Sequence, residues 1–508
     1  MITGRYIAGD SETKQCWGYS GASLTQWVLT VVLGVTVGLI AFVMKQGIEE
    51  VQLLKLGYIE LLLNPCTASA DACAGLGEQE QRERVQPALA LGVFCAVNAA
   101  LALSGAALTV GAAPEAAGSG IPEVMGYLNG VHVTKIMRLR TLTVKVLGSF
   151  LAVVSGLAVG VLGPLVHIGA IVGSGLTRGH KIWRGCGGRM QYKCHVRAME
   201  RFHNDADRRD FISMGAAVGF AAAFGAPVGG VLFALEEAAS FWDSKLMWRT
   251  LTATTVACFV LAVSERYVAP AVFDLHFSCA AGQNGTQAVA RELFQPGMLT
   301  FQTAASFEHP WENLLCVVMG VAGGILGAAF NRMHAILSRC RAAWVQRRPA
   351  AQLAEVLCLS LLTSTVMFGL SLYGECKELN GVGTEVLPDA VLCNTSEEPW
   401  RLQWATLGEL DVCGPQEYND MATALLVGQR RVIVSMMEEP ERYSARTLLC
   451  VGVAFFFLMT LTYGSSLPAG VFVPTILTGA CFGSLVGIGL QRFFDHTNEL
   501  GCEPGSWW

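Results

Sequence analysis

Three pentapeptides of the form Gly-x-x-x-Pro punctuate this 508-residue sequence: Gly118-Ser119-Gly120-Ile121-Pro122, Gly160-Val161-Leu162-Gly163-Pro164 and Gly470-Val471-Phe472-Val473-Pro474. Proline in the first turn of a helix gives up an N–H that would lack a partner anyway, and the glycines before it let the chain turn sharply. Each pentapeptide therefore predicts a helix start. One such corner alone is an ordinary loop-to-helix junction. Three of them at membrane depth offer more, because their unpaired N–H groups and positive dipole ends can converge on a point and hold an anion without burying a full positive charge. Lys or Arg at that point would hold the anion too tightly, whereas partial charges suit release. Ser119 adds a hydroxyl donor to the first corner, although a serine in such a turn also serves as a helix cap.

Two further groups could move protons. The small-residue segment Gly215 to Gly230 runs on into Glu236-Glu237, and carboxylates at mid-membrane cost about 2.5–3.5 kcal/mol each, so this pair either sits near water at a helix end or serves a proton path. His167, three residues after Pro164, is either a relay or a locally bonded first-turn histidine. The sequence holds no HExxH pair, GxSxG elbow, Walker-type loop or spaced metal-ligand cluster. Enzyme chemistry, a metal centre and a cofactor are not expected.

The elements that must position these groups follow from composition. Hydrophobic residues make up 52% and charged residues 15% of the chain, and mean hydropathy is +0.45. Runs of roughly 20 apolar residues span a bilayer core, and nine are predicted, at Trp27–Met44, Ala88–Leu108, Leu142–Val161, Gly215–Leu235, Leu251–Val268, Leu314–Ala329, Val356–Leu372, Thr447–Leu461 and Val473–Leu490. The expectation is an all-α, multi-pass membrane protein embedded in a lipid bilayer. Glycine clusters in several runs predict two short, tilted helices in place of one rod. A net charge of -5 supplies no basic field for nucleic acid.

Loop charge sets an orientation, because cytoplasmic loops accumulate Lys and Arg. Arg178 to Arg209 and Arg332 to Arg348 are basic, and Glu375 to Asp420 is acidic, which places the acidic stretch on the opposite face. The sequons at Asn284 and Asn394 and the loop cysteines Cys279, Cys376, Cys393 and Cys413 fall on that same face, where glycans and disulfides can form, as they can at Cys66 and Cys73. Cys95, Cys258, Cys316, Cys358, Cys450 and Cys481 lie inside apolar runs and read as small core residues.

GSGIPE (Gly118 to Glu123), GVLGPLVHIG (Gly160 to Gly169), GFAAAFGAPVGGVLFALEE (Gly219 to Glu237) and AGVFVP (Ala469 to Pro474) match, in order, the signature segments of the CLC family of chloride channels and chloride/proton antiporters. The resemblance runs from about residue 27 to 490 and implies CLC-type inverted repeats, a chloride pathway and a homodimer with one pore per subunit, with an accessory membrane subunit as a further partner. YLNGV at Tyr127, RRDF at Arg208, SFW at Ser240 and EYNDMAT at Glu417 resemble the late-endosomal and lysosomal branch, which implies an endosomal, lysosomal or vacuolar membrane. Carried over, Ser119 matches the central chloride ligand, the N–H groups of Gly120, Ile121, Val471 and Phe472 match the remaining ion contacts, and Glu237 matches the internal proton-transfer glutamate.

The sequence departs from the family at Leu162. The family pattern there is Gly-Lys/Arg-Glu-Gly-Pro, its glutamate being gate and outer proton carrier, and here Val161 and Leu162 replace both side chains between Gly160 and Gly163-Pro164. Leucine binds no proton, so passive chloride movement is expected. The alternatives are exchange coupled by another route and a non-conducting CLC-like subunit, with Val161 and Leu162 plugging the outer path. The second departure is length, since the family continues past the last motif with further helices, a tyrosine ligand and CBS domains. The expected organisation is a cytoplasmic segment at 1–23, a transmembrane domain at 24–495 with an incomplete second repeat, and a short tail at 496–508, without CBS domains.

Overall fold

The structure, a computed structural model, describes residues 21–63, 87–131, 133–177, 204–268, 310–378, 417–438 and 442–498. They fold as α1 (Gly21–Leu63), α2 (Pro87–Ala112), α3 (Ile121–Leu128), α4 (Leu139–Val154), α5 (Leu162–Leu176), α6 (Asp205–Phe224), α7 (Pro227–Phe233) and α8 (Ser244–Val263), followed by α9 (Pro310–Trp344) and α10 (Pro349–Ser371). The strands β1 (Cys376–Glu378) and β2 (Glu417–Asn419) then precede α11 (Asp420–Leu426), α12 (Gln429–Glu438), α13 (Ala445–Thr462) and α14 (Phe472–Asn498). The chain is an all-α, multi-pass membrane protein, its described residues being helical apart from this small ribbon, and among them seven helices are long and apolar enough to cross a bilayer.

Two of the nine apolar runs are broken, each at a glycine or proline. The run predicted at Leu142–Val161 ends as helix at Val154, and α5 starts afresh at Leu162. The run at Gly215–Leu235 divides between α6 and α7, where Gly225 takes a left-handed conformation (φ 70°) and Pro227 opens the next helix. The short α5, almost wholly buried, packs against α6 through glycines on both sides. A Cβ at Gly169 would collide with the carbonyl oxygen of Gly215, and one at Gly215 with that of Gly169. Backbone contact of this kind replaces the side-chain interdigitation of ordinary helix pairs.

A second core gathers Val432, Ile433, Val451, Phe455, Leu477 and Cys481 from α12, α13 and α14, with Tyr443 from the turn before α13. Buried Asp420 ties this half together by accepting from the backbone N–H groups of Glu375 (3.0 Å) and Ser444 (2.9 Å). In contrast α9 exposes apolar side chains all round, Ile325 being 65% exposed, the pattern of a helix solvated by lipid. Its Arg341 is not a loop charge: it is buried, pairs with Glu355, and donates to the carbonyls of Leu461 and Tyr463 at the end of α13.

The ribbon joins the two ends of the acidic stretch, Cys376 opposite Asn419 and Glu378 opposite Glu417. Cys376 is disulfide-bonded. Cys95, Cys258, Cys316, Cys358, Cys450 and Cys481 are free; Cys481 is a core residue, but Cys316 and Cys358 are exposed on apolar helices and face outward instead. Asn284, Asn394, Cys66, Cys73, Cys279, Cys393, Cys413 and most of the basic linker after Arg178 lie outside the described residues.

Candidate functional site

The three corners meet. Gly160 and Gly470, the first residues of two pentapeptides far apart in sequence, exchange both backbone hydrogen bonds (2.8 and 2.9 Å) as an isolated antiparallel bridge. Beside it Gly118 N–H donates to Leu467 O (2.9 Å) and Ala469 N–H to Gly118 O (3.2 Å), which ties in the first corner. Gly163 lies against Ser119 and Gly470 so closely that a Cβ on it would fall 2.8 Å from the serine Cβ and 3.5 Å from the Gly470 Cα. The starts of α3, α5 and α14 are thereby gathered at one place.

Neither α3 nor α5 has a side-chain cap, and Ile121 N–H makes only a long contact to Ser119 Oγ (3.4 Å). Gly120 precedes α3 in a left-handed conformation (φ 82°), and a Cβ there would strike the ring of His167, so only glycine serves. His167 is fully buried behind this turn, which makes it a packing partner of the corner. Ser119 is 7% and Leu162 2% exposed, whereas Phe472 is exposed. Gly160, Gly163 and Pro164 are buried with them, and Val161 and Val471 are half-buried.

Lys145 is a site residue that sequence reasoning passed over. Fully buried in α4, its ammonium donates to Ala116 O (3.0 Å) and Gly118 O (2.8 Å). A trans peptide sets its N–H opposite its C=O, so holding the Gly118 carbonyl turns the Ser119 N–H away from the lysine. The charge also adds to the positive potential behind the corner without touching what the N–H groups hold. A lysine inside the apolar run Leu142–Val161 was the available signal, since a buried charge needs a reason.

Glu237 is elsewhere. It sits with Glu236 in a five-residue π-helical turn (Ala234–Ala238) after α7, exposed, and does not join the three corners. Leu162 also lines a cavity of about 170 Å³, together with Gly160, Val161 and Val473 and with the charged residues Lys45, Glu49, Lys55, Arg430 and Arg431. Among the described residues no cluster could hold a metal ion. What the arrangement can do chemically is replace the hydration of a small anion with backbone and hydroxyl donors.

A family model described as "Voltage gated chloride channel" matches residues 94–505. The chain is 33% identical over 490 residues to the mouse protein named H(+)/Cl(-) exchange transporter 7, covering 95% of this chain and 53% of that one. It is 33% identical over 467 residues to the Arabidopsis thaliana chloride channel protein CLC-c, covering 91% and 53%. It thus spans about half the length of these curated relatives. A crystal structure of a eukaryotic CLC transporter superimposes with a TM-score of 0.56 at 21% identity, covering 94% of this chain and 62% of that one.

Proposed function

The chain belongs to the voltage-gated chloride channel family, and from that premise we propose that it carries chloride across its membrane passively, without coupled proton movement. The observation that carries this reading is the meeting of three helix starts at Ser119, Gly163 and Gly470 beside a leucine, where the family pattern has a carboxylate. Ser119 Oγ and the N–H groups of Gly120 and Ile121 on one side, and of Val471 and Phe472 on the other, donate to the ion. No full positive charge touches it. Lys145 raises the potential from behind the Gly118 carbonyl, which favours occupancy yet leaves the donors weak enough to release.

Leu162 sets the mode. It is buried at the first position of α5, where a carboxylate would compete with the anion for the same N–H groups and carry a proton when displaced. Leucine does neither, so chloride follows its own gradient. Glu237 then has no outer partner to exchange protons with. A second reading, coupled exchange by another route, is favoured by the exchanger name of the mouse relative. Flux of chloride from proteoliposomes with a simultaneous pH readout separates the two, since stoichiometric proton movement against chloride refutes the passive reading. Absence of any flux would support the reading as a non-conducting subunit. Assembly as a homodimer and placement in an endosomal, lysosomal or vacuolar membrane belong to the same proposal, and crosslinking and organelle fractionation test them.

A further inference from the structure

The cavity outside Leu162 carries more positive charge than its walls neutralise. Its lining includes four cations, Lys45, Lys55, Arg430 and Arg431, and one carboxylate, Glu49. Lys45 pairs with Glu265, and Arg431 lies 3.7 Å from Glu49. Among the described residues Lys55 has only neutral partners. Its ammonium donates to Asn98 Oδ1 (3.1 Å) and to the carbonyl of Val154 (2.9 Å) and sits 5.4 Å from the centre of the Phe94 ring. Asn98 is itself buried and donates onward to Ser364 Oγ (2.9 Å), so α1, α2, α4 and α10 all fix the position of this one cation. An ammonium has three N–H groups; two are used, and the side chain lines the cavity.

A cation held this firmly on the lining of a cavity, with no carboxylate partner among the described residues, calls for an anion. Val154 is the last residue of α4, so the carbonyl it offers contributes part of a negative dipole, not a full charge. The corner residues that line the cavity give no carboxylate either, because Val161, Leu162 and Val473 are apolar. Among the described residues no carboxylate pairs with Lys55, and an anion from solution fits beside it. About 170 Å³ is ample for a small inorganic anion and below the roughly 300 Å³ typical of pockets for drug-sized ligands, which favours a small anion as occupant.

We propose that Lys55 is the centre of a second anion site, in the cavity outside Leu162, where a halide waits before reaching the three helix starts. Lys55 and Val161 line the same cavity from different elements. Only the identity of the anion as chloride rests on the transport reading; the site itself rests on the cavity and its charge.

Two measurements on the purified full chain test it. In crystals grown with bromide, anomalous scattering should place an ion within hydrogen-bond distance of Lys55 Nζ, separate from any ion beside Ser119. A bromide at Ser119 with none at Lys55 overturns the proposal. In proteoliposomes, Lys55→Met should raise the half-saturating chloride concentration about tenfold, equivalent to about 1.4 kcal/mol, without lowering the maximal rate. Lys55→Arg should retain wild-type saturation, and Val161→Arg added to Lys55→Met should restore it, because either returns a cation to the same cavity. Unchanged saturation in a Lys55→Met protein that elutes and melts like wild type sinks the idea. Should Lys55→Met fail to fold, the bromide map of the wild type decides alone, and it decides equally if the wild type carries no chloride, a result that would sink the transport reading instead.

Discussion

Gly163→Ala is the sharpest perturbation available, because it adds one methyl group where three helix starts meet. The new Cβ would lie 2.8 Å from Ser119 Cβ, 3.4 Å from Ser119 Cα and 3.5 Å from Gly470 Cα. None of these atoms can rotate away. Carbon atoms rest at about 3.5–4.0 Å, so the α3 and α5 starts must part by about 1 Å. Overpacking of this size costs about 1–3 kcal/mol, partly as lost stability and partly as donors pulled off the common point. If about 1.4 kcal/mol of that falls on the anion, occupancy drops tenfold, and chloride flux at subsaturating concentration should fall by about the same factor. Gly175→Ala is the control. It lies in the same helix, its Cβ would meet nothing within 4 Å, and alanine in a helix is favoured over glycine by about 0.5–1 kcal/mol. Flux and thermal unfolding should be measured side by side in proteoliposomes and detergent. Wild-type flux from a correctly folded Gly163→Ala protein would show that the convergence of these starts does not set the anion's affinity.

Gly215→Ala places a methyl group against the backbone oxygen of Gly169, so it should lower the yield of monodisperse protein far more than Gly175→Ala; equal yields on size exclusion would refute direct backbone packing of α5 on α6. Leu162→Glu puts a carboxylate at the first position of α5, where it should reduce chloride leak at neutral pH and bring proton movement into step with chloride. A rate as high as wild type, silent to a pH probe, would show that Glu237 and its path cannot support exchange. Burial pushes Asp210, in the polar first turns of α6 ahead of its apolar stretch, up to about 6 from an ordinary 3.8, with Arg209 opposing and Asp207 adding. Its ionised form is therefore disfavoured in the folded state, so stability contributed here falls as pH rises from about 4 to 6. Asp210→Asn should melt higher than wild type at pH 7.5, with the gap closing as pH drops from 6 toward 4; a gap that stays constant or widens in acid contradicts this.

Much of the fold was legible because membrane helices announce themselves by length and hydropathy, and because Gly-x-x-x-Pro marks a helix start by sterics alone. The same sterics explain the two broken runs: Gly225 and Pro227 interrupt an apolar stretch that hydropathy reads as continuous. What the sequence withheld is set by tertiary proximity. Nothing local says that Gly160 bonds Gly470, that His167 packs under Gly120, or that Arg341 caps α13. Lys145 was visible as a charge in an apolar run, but hydropathy windows average such a residue away, while Lys55 lies beyond the first run, and the purpose of both emerges only with their acceptors. The surface of α9 shows the reverse failure, since Cys316 has the composition of a core residue and the exposure of a lipid-facing one.

The bridge between Gly160 and Gly470 accounts for why two of the corners resemble each other position by position. Each pentapeptide begins with the glycine that donates to and accepts from its counterpart, and an exchange of this kind has local two-fold symmetry. Val161 and Val471 then hold equivalent places, as do Leu162 and Phe472. Symmetric pairing makes both helices start beside the same point, so their dipoles add, and the arrangement needs no charged side chain to bring the starts together. It also fixes what can vary. The glycines and prolines set backbone geometry and cannot change without parting the starts, whereas the two residues between them set only what lies in front of the N–H groups. On the passive reading proposed above, Leu162 in place of a carboxylate would alter coupling while leaving the backbone scaffold of the paired starts intact, and the cavity cation proposed above would then take up the task of attracting the anion.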